Sequence, residues 1–305
     1  MKKFILKSIL FCTVTIISIN IISNVVLLKI NQSSTFKIST QINKVFIGHS
    51  HPQYAYDDKI IGNSINLSYS LDSYLHSYVK LKKFLIENKN IKYIFIEYSN
   101  NSIYELMDEA IYGTSTSPKM TKYLPFLSEN ERNLILSKNI FLYLMSKYNS
   151  TIYYSKKLIH EDLKLSKEFG RFEKFTIQNT DSIDLITDIP VPYQQKQISY
   201  LNLYYLKKIE KLAYKNKIKL FLIRSPTHKK WQGRGNEYYF KKIKKLYFND
   251  IEFLDFNNFN LSNKEFGDLQ HLHYSGAKKL STILNKLIKN DFLLKKEKQK
   301  VINQL

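Results

Sequence analysis

"INKVFIGHSH" (residues 42–51) decides the fold class, because it joins a short apolar run to a glycine and then to a cluster of reactive side chains. A seven-residue run rich in Ile, Val and Phe is the length of a buried strand, and Gly48 marks its end. The chain has only eight glycines in 305 residues, so the placement of one here is informative. The same pattern returns in "IKYIFIEYS" (91–99), "KIKLFLIRSP" (217–226) and "IEFLDF" (251–256), with a shorter candidate in "NSINLSY" (63–69). Between these runs lie segments with apolar residues at helical spacing. They are "SYLHSYVKLKKFLIENK" (73–89), "YYFKKIKKLYF" (238–248) and "SGAKKLSTILNKLIKN" (275–290), the last predicted to begin at Ser275. Short apolar strands alternating with amphipathic helices predict an α/β fold, a mostly parallel sheet with helices on both faces. Residues 102–200 break the rhythm: "ENERNLILSKNIFLYLMSKY" (129–148) and "SYLNLYYLKKIEKLAYKNK" (199–217) are both helical in pattern. This region reads as a mainly helical insertion within one α/β domain spanning residues 42–305.

A different physics governs the start of the chain. "SILFCTVTIISINIISNVVLL" (8–28) has no charged side chain and follows Lys2, Lys3 and Lys7. As a helix it spans roughly 30 Å, the thickness of a bilayer core. A cleaved signal peptide has a shorter apolar stretch and a small-residue cleavage site, whereas no alanine precedes Ala55. Residues 1–30 are therefore expected to be an uncleaved single-pass membrane anchor and residues 31–41, rich in Ser and Thr, a linker. With Lys29 and Lys37 behind the segment, the lysines before it place the N-terminus in the cytoplasm and the body outside it. Cys12 is the sole cysteine and lies in the anchor, so the body has no disulfide and no cysteine-based zinc site.

The formal net charge of +21 permits an acidic partner. The lysines are spread along the whole chain, however, and no aromatic-rich single-strand-binding motif accompanies them. The reading is a solvated basic surface with no nucleic-acid role; anionic lipid or an acidic envelope polymer is the better match.

In parallel α/β sheets, ligands bind at the carboxyl ends of the strands. The polar residues there are "GHSH" (48–51), "SYSLDS" (68–73), "EYSNN" (97–101) and "RSPTH" (224–228), joined by "FGDLQHLHYSGA" (266–277). Asp268 and His271 stand three apart, so one turn brings both to a point. A nucleophilic serine needs a base to take its proton, and the base needs an acceptor that fixes its tautomer. Ser50, His271 and Asp268 provide that set. The backbone N–H of Ser50 and the amide of Asn100 are candidate oxyanion donors, with Asn101 an alternative and the stretch 68–72 a third source. Ser50 taken alone reads first as a helix N-cap, and Asp268, His271 and Asn100 in register turn the reading to catalysis.

A second reading of the same residues is a metal centre built from His49, His51, Asp268, His271 and His273. Residues two apart in an extended segment share a face while the one between points away, so the two histidines and Ser50 converge only through a sharp turn. No metal and no cofactor is expected. His49, His51, Arg224, His228 and the lone Trp231 are candidate substrate contacts, the indole offering a platform for a sugar.

The arrangement resembles the SGNH (GDSL-like) hydrolases. Their strand followed by Gly-Asp-Ser is seen here as "IGHSH", their oxyanion-hole Asn as "EYSNN" and their final Asp-x-x-His as "DLQHLHYSGA". The likeness is closest to the membrane-anchored, envelope-facing branch that includes the alginate O-acetylation proteins and the D-alanyl transfer protein DltD. It covers roughly residues 42–101 and 217–290. His49 replaces the usual Asp, His273 the Asn that commonly follows the His-Leu pair, and the second-block Gly is not evident. The resemblance implies a three-layer sandwich with Ser50 as nucleophile, His271 as base and Asp268 as its orienting partner. The activity it implies is that of a serine esterase or O-acyltransferase, with acetyl the expected acyl group, working through a Ser50 acyl-enzyme on a cell-surface polysaccharide or acylated sugar. A membrane-embedded acyl-transfer partner is a further expectation. The alternative from another class is a catalytically inactive protein of the same fold that binds or assembles an envelope polymer.

Overall fold

The apolar run that opened the sequence forms β1 (Lys44–Ile47) and is buried along its whole length. In a computed structural model, which describes residues 1–113, 117–161, 163–165, 168–177, 197–235 and 237–305, it sits inside a five-stranded, all-parallel sheet. Part of the expected insertion, residues 178–196, lies outside the described residues.

The chain runs α1 (Lys2–Ser33), β1, α2 (Ser50–Ala55), β2 (Ser64–Asn66), α3 (Tyr74–Glu87) and β3 (Tyr93–Glu97). There follow α4 (Glu109–Tyr112), α5 (Ser117–Tyr123), α6 (Glu129–Lys138), α7 (Ile140–Ile159) and α8 (Tyr200–Lys215). β4 (Lys219–Arg224), α9 (Glu237–Tyr247), β5 (Glu252–Asp255), α10 (Tyr274–Lys289) and α11 (Lys298–Ile302) complete it. All five expected strands are present, each shorter than its apolar run because the flanking residues turn away to join helices.

Two compact units divide these elements: residues 1–36 with 111–165, and residues 37–110 with 166–305. The second holds the sheet, in the order β2-β1-β3-β4-β5. The chain moves outward from β1 to β2 and then returns to the other side of β1 for β3, so the topology reverses between β1 and β3. In open parallel sheets the loops leaving the two strands at such a reversal diverge, and ligands bind there.

Side chains alternate across a strand, so each strand feeds two layers. Phe46, Phe95 and Phe221 are Cα partners on neighbouring strands and stack at 4.7 and 5.2 Å between ring centroids, with Tyr56 closing the row against Phe46 at 4.8 Å. This face packs with Ala277, Leu280 and Leu284 of α10. Each of these Phe side chains is fully buried and contributes about 1.5–3 kcal/mol through removal from water.

The first unit contains α1, which among the described residues is the one helix long and apolar enough to cross a membrane. The helix continues to Ser33, beyond the start of the expected linker. Ser23, Leu27 and Ile30, on one face of its second half, are buried. The stretch 129–148 is not one helix: the chain breaks at Asn139, whose side chain accepts from the Leu142 amide and so caps α7. An Asn that bonds to nearby backbone ends one helix and starts the next.

Candidate active site

Gly48 explains its own presence. A Cβ there would lie 2.6 Å from Cβ of Glu97 and 2.9 Å from Cγ of Pro52, with the backbone at φ +157°. Only glycine lets β1 turn this tightly against β3 and begin α2 within two residues. His49 is the N-cap of α2, its ring accepting from the His51 amide, and Ser50 is the first helical residue. Ser50 is therefore not the cap itself. The turn supplies the convergence that an extended segment would deny: the His49 and His51 rings approach to 4.5 Å while Ser50 faces another way.

Ser50 faces His271. The segment 266–272 closes on itself, with Phe266 bridging to Leu272 and the Gly267 amide donating to the His271 carbonyl at 3.0 Å. Inside this loop Asp268 Oδ1 accepts from the amides of Gln270 at 2.7 Å and His271 at 2.8 Å. The same carboxylate lies 2.9 and 3.1 Å from His271 Nδ1. An ionised carboxylate only accepts, so Nδ1 carries the proton and Nε2 presents a lone pair. That lone pair is 2.8 Å from Ser50 Oγ. Partial burial alone would raise the Asp268 carboxyl, but hydrogen bonding and charge from His271, with the two amides, outweigh it and hold the carboxyl below its ordinary value.

Aromatic side chains fix the base. Phe175 stacks on the His271 ring at 5.6 Å and Tyr54 meets it edge-on at 5.2 Å. A Cβ on Gly267 would lie 2.1 Å from the Phe175 ring, so that stacking depends on the missing side chain. Neither Tyr54 nor Phe175 was marked by the sequence, since both reach the site through tertiary packing. Trp231 contacts His51 edge-on at 5.5 Å, and His51 stands 5.6 Å from His271. His51 and Trp231 thus adjoin the Ser50 pair.

The other expected contacts are engaged elsewhere. Arg224 is buried, and all five of its donors are used: Asp255 takes Nε at 2.8 Å and Nη2 at 2.5 Å, Glu237 takes Nη1 and Nη2, and Asn100 Oδ1 also accepts from Nη1 at 3.2 Å. It has no N–H left for a substrate. Asn100, 1% exposed, also donates to Glu237 at 3.3 Å, so it is tied to the Arg224 network. Asn101 is the one that faces the loop of the base, donating to Gln270 Oε1 at 3.4 Å. His228 accepts from the Lys230 amide, bonds Asn263 at 3.0 Å and donates its own amide to the Leu269 carbonyl. It is buried and frames the loop rather than meeting solvent.

His49, His51 and Glu97 form a buried trio with ligand atoms within 4.8 Å of one another. Glu97 ends β3 and was missed, although the same strand-end rule that marked Asn100 reaches it. The alternative metal set of His49, His51, Asp268, His271 and His273 does not come together as one cluster among the described residues: His273 caps α10 and bonds Ser275 at 2.8 Å. Within the trio, His49 accepts through Nδ1 and donates through Nε2 to Ser99 or Ser102 at 3.0 and 3.2 Å. Both Glu97 oxygens accept from Ser225. Of the three, His51 is the one whose ring nitrogens have no hydrogen-bond partner, and its Nδ1 stands 3.8 Å from Glu97. Two of the three groups are already committed to protein partners, so the trio fits a metal poorly.

A model of an uncharacterised family matches residues 191–293, about a third of the chain. The match takes in Asp268 and His271 and leaves out Ser50. No curated protein matches the chain.

Proposed function

We propose that the chain is an SGNH-like serine esterase or O-acyltransferase in which Ser50 carries the acyl group. The observation that carries this reading is the continuous hydrogen-bonded series from the Asp268 carboxylate through both nitrogens of His271 to Ser50 Oγ, at 2.9 and 2.8 Å. Attack of Ser50 Oγ on an ester carbonyl passes the hydroxyl proton to His271 Nε2. Collapse expels the alcohol, which takes that proton, and leaves an acyl-serine. Water or a sugar hydroxyl then repeats the sequence in reverse. The Ser50 amide, at the first position of α2, and Asn101 are the donors we assign to the oxyanion.

The parallel sheet, the position of Ser50 at the topological reversal and the Asp-x-x-His loop before α10 support the SGNH assignment. The apolar α1 supports attachment to a membrane; on the bias of lysines before it we infer that the sheet-containing unit lies outside the cytoplasm, with a cell-surface polysaccharide as acceptor. One observation favours the alternative of a non-catalytic polymer-binding protein: Asn100, the expected oxyanion donor, is bound into the Arg224 network. Intact-mass analysis of the full chain in detergent after a fluorophosphonate separates the two. One adduct on the parent and none on Ser50→Ala supports the enzyme; no adduct on a folded parent excludes it.

A further inference from the structure

Among the described residues seven tyrosines are exposed, and six of them lie on two helices: Tyr200, Tyr204 and Tyr214 on α8, and Tyr238, Tyr239 and Tyr247 on α9. Each helix also carries four lysines and one acid. At 3.6 residues per turn, Tyr200, Tyr204, Lys207, Lys211, Tyr214 and Lys215 fall within an arc of roughly 100°, and all six are exposed. On α9 the exposed Tyr238, Lys241, Lys242 and Lys245 also fill an arc of roughly 100°. Lys208 Nζ stands 5.4 Å from the centre of the Tyr204 ring, and Lys242 Nζ 5.9 Å from that of Tyr238. Each helix thus presents aromatic rings and ammonium groups together, while the two acids, Glu210 and Glu237, are taken by Lys207 and Arg224.

The two stripes belong to one surface. The steps from β3 to β4 and from β4 to β5 go in the same direction across the sheet, so right-handed crossovers put α8 and α9 on the same face. Lys207, inside the α8 stripe, donates to the Tyr247 carbonyl at the end of α9 at 3.5 Å and lies over the Phe248 ring. Both helices start at the edge of the sheet that carries Ser50. The Ser199 amide, just before α8, donates to the Ile103 carbonyl, and the Asn202 side chain donates to that of Ser102, whose hydroxyl reaches His49. At the start of α9, Glu237 binds Arg224, the last residue of β4. Tyr200 and Tyr238 therefore stand at the end of the face nearest that edge.

We propose that the face formed by α8 and α9 binds an acidic polysaccharide. The apolar side of a sugar ring packs on a phenol, and an anionic substituent meets the neighbouring ammonium group. Lipid is the poorer match, because neither stripe holds the aliphatic or Phe side chains that insert below the headgroups. A chain lying along the face reaches the edge on which Ser50 lies. The proposal rests on the reading of a polysaccharide acceptor, and it names the charge of that polymer and the surface that holds it.

Anisotropy of fluorescein-labelled polygalacturonate, titrated with the full chain in a nonionic detergent, tests this. The parent is compared with Tyr204→Ala/Tyr238→Ala and with Lys211→Gln/Lys242→Gln, all at exposed positions. Neutral dextran and oligothymidylate are run beside the acidic glycan. We expect the parent to bind polygalacturonate in preference to both, and each double variant to bind it several-fold more weakly, with a shallower salt dependence in the lysine pair. No binding by the parent, or binding that neither pair alters, overturns the proposal. Oligothymidylate bound as tightly as polygalacturonate overturns it in favour of nucleic acid. Fluorophosphonate labelling of the same preparations is read separately: glycan binding without an adduct on Ser50 upholds the face and overturns the esterase reading.

Discussion

His271 Nε2 stands 2.8 Å from Ser50 Oγ, across 221 positions of sequence. The pair exists only because β1 and the loop before α10 end at the same edge of the sheet, and its reactivity follows from that geometry. With an activated acetyl ester, we expect His271→Ala to lower the rate of Ser50 acylation by about 10²–10⁴-fold, the usual yield of a positioned base. Stopped-flow release of the leaving group checks this, and an undiminished rate removes His271 from the mechanism.

Asp268 carries a pH signature. Its carboxyl is held below its ordinary value in the folded protein, so its contribution to stability is complete above the unfolded value of about 3.9 and is lost as pH falls through the lower folded value. Asp268→Asn should therefore unfold at lower urea than the parent near about pH 7, and the gap should close below about pH 4. A gap that widens on acidification contradicts this sign.

Asn100 and Asn101 should differ in kind. Asn100→Ala removes hydrogen bonds to the charged groups of Arg224 and Glu237, with an expected stability loss of about 1.5–3 kcal/mol. Asn101→Ala should leave the unfolding midpoint in place and lower acylation by about 10²–10³-fold, the effect of one oxyanion donor. Denaturation and acylation measured on both variants distinguish the roles; the reverse outcome would return the donor to Asn100.

The loop after β2 is pinned by an ion pair with no solvent contact. Lys80 Nζ lies 2.7 Å from Asp72 Oδ2, with side chains 1% and 0% exposed, and also donates to the Leu67 carbonyl. Lys80→Met strands a buried carboxylate and should cost about 3–5 kcal/mol. Adding Asp72→Leu should recover most of the loss, because a buried pair is replaced by apolar groups at little net cost. A double variant weaker than the single one means that Asp72 has a second stabilising role.

Short apolar strands announce their own carboxyl ends, which brings out Ser50 and the Asn100–Asn101 pair, and the three-residue spacing of Asp268 and His271 brings out their loop; the sequence put Asn100 first as oxyanion donor and could not read its tie to Arg224. The role of Arg224 was not legible, since its partners come from register: Arg224 is opposite Asp255 on β5, and Glu237 reaches it from α9. Phe175 and Tyr54 belong to the same class, placed by packing that no local pattern encodes. The N-terminus of α10 was misplaced by one residue because its cap is His273, a side chain that seldom has that role, rather than a Ser or Asp.

The buried face of α1 has a consequence for shedding. A protease cutting between residues 31 and 36 would carry away Ser23, Leu27 and Ile30, which are core residues of the first unit. Burial of Leu27 and Ile30 alone is worth about 3–6 kcal/mol. A leader peptide is discarded without penalty by the protein it guides; this helix is a structural member, and release from the membrane would come at the expense of the unit it helps to build.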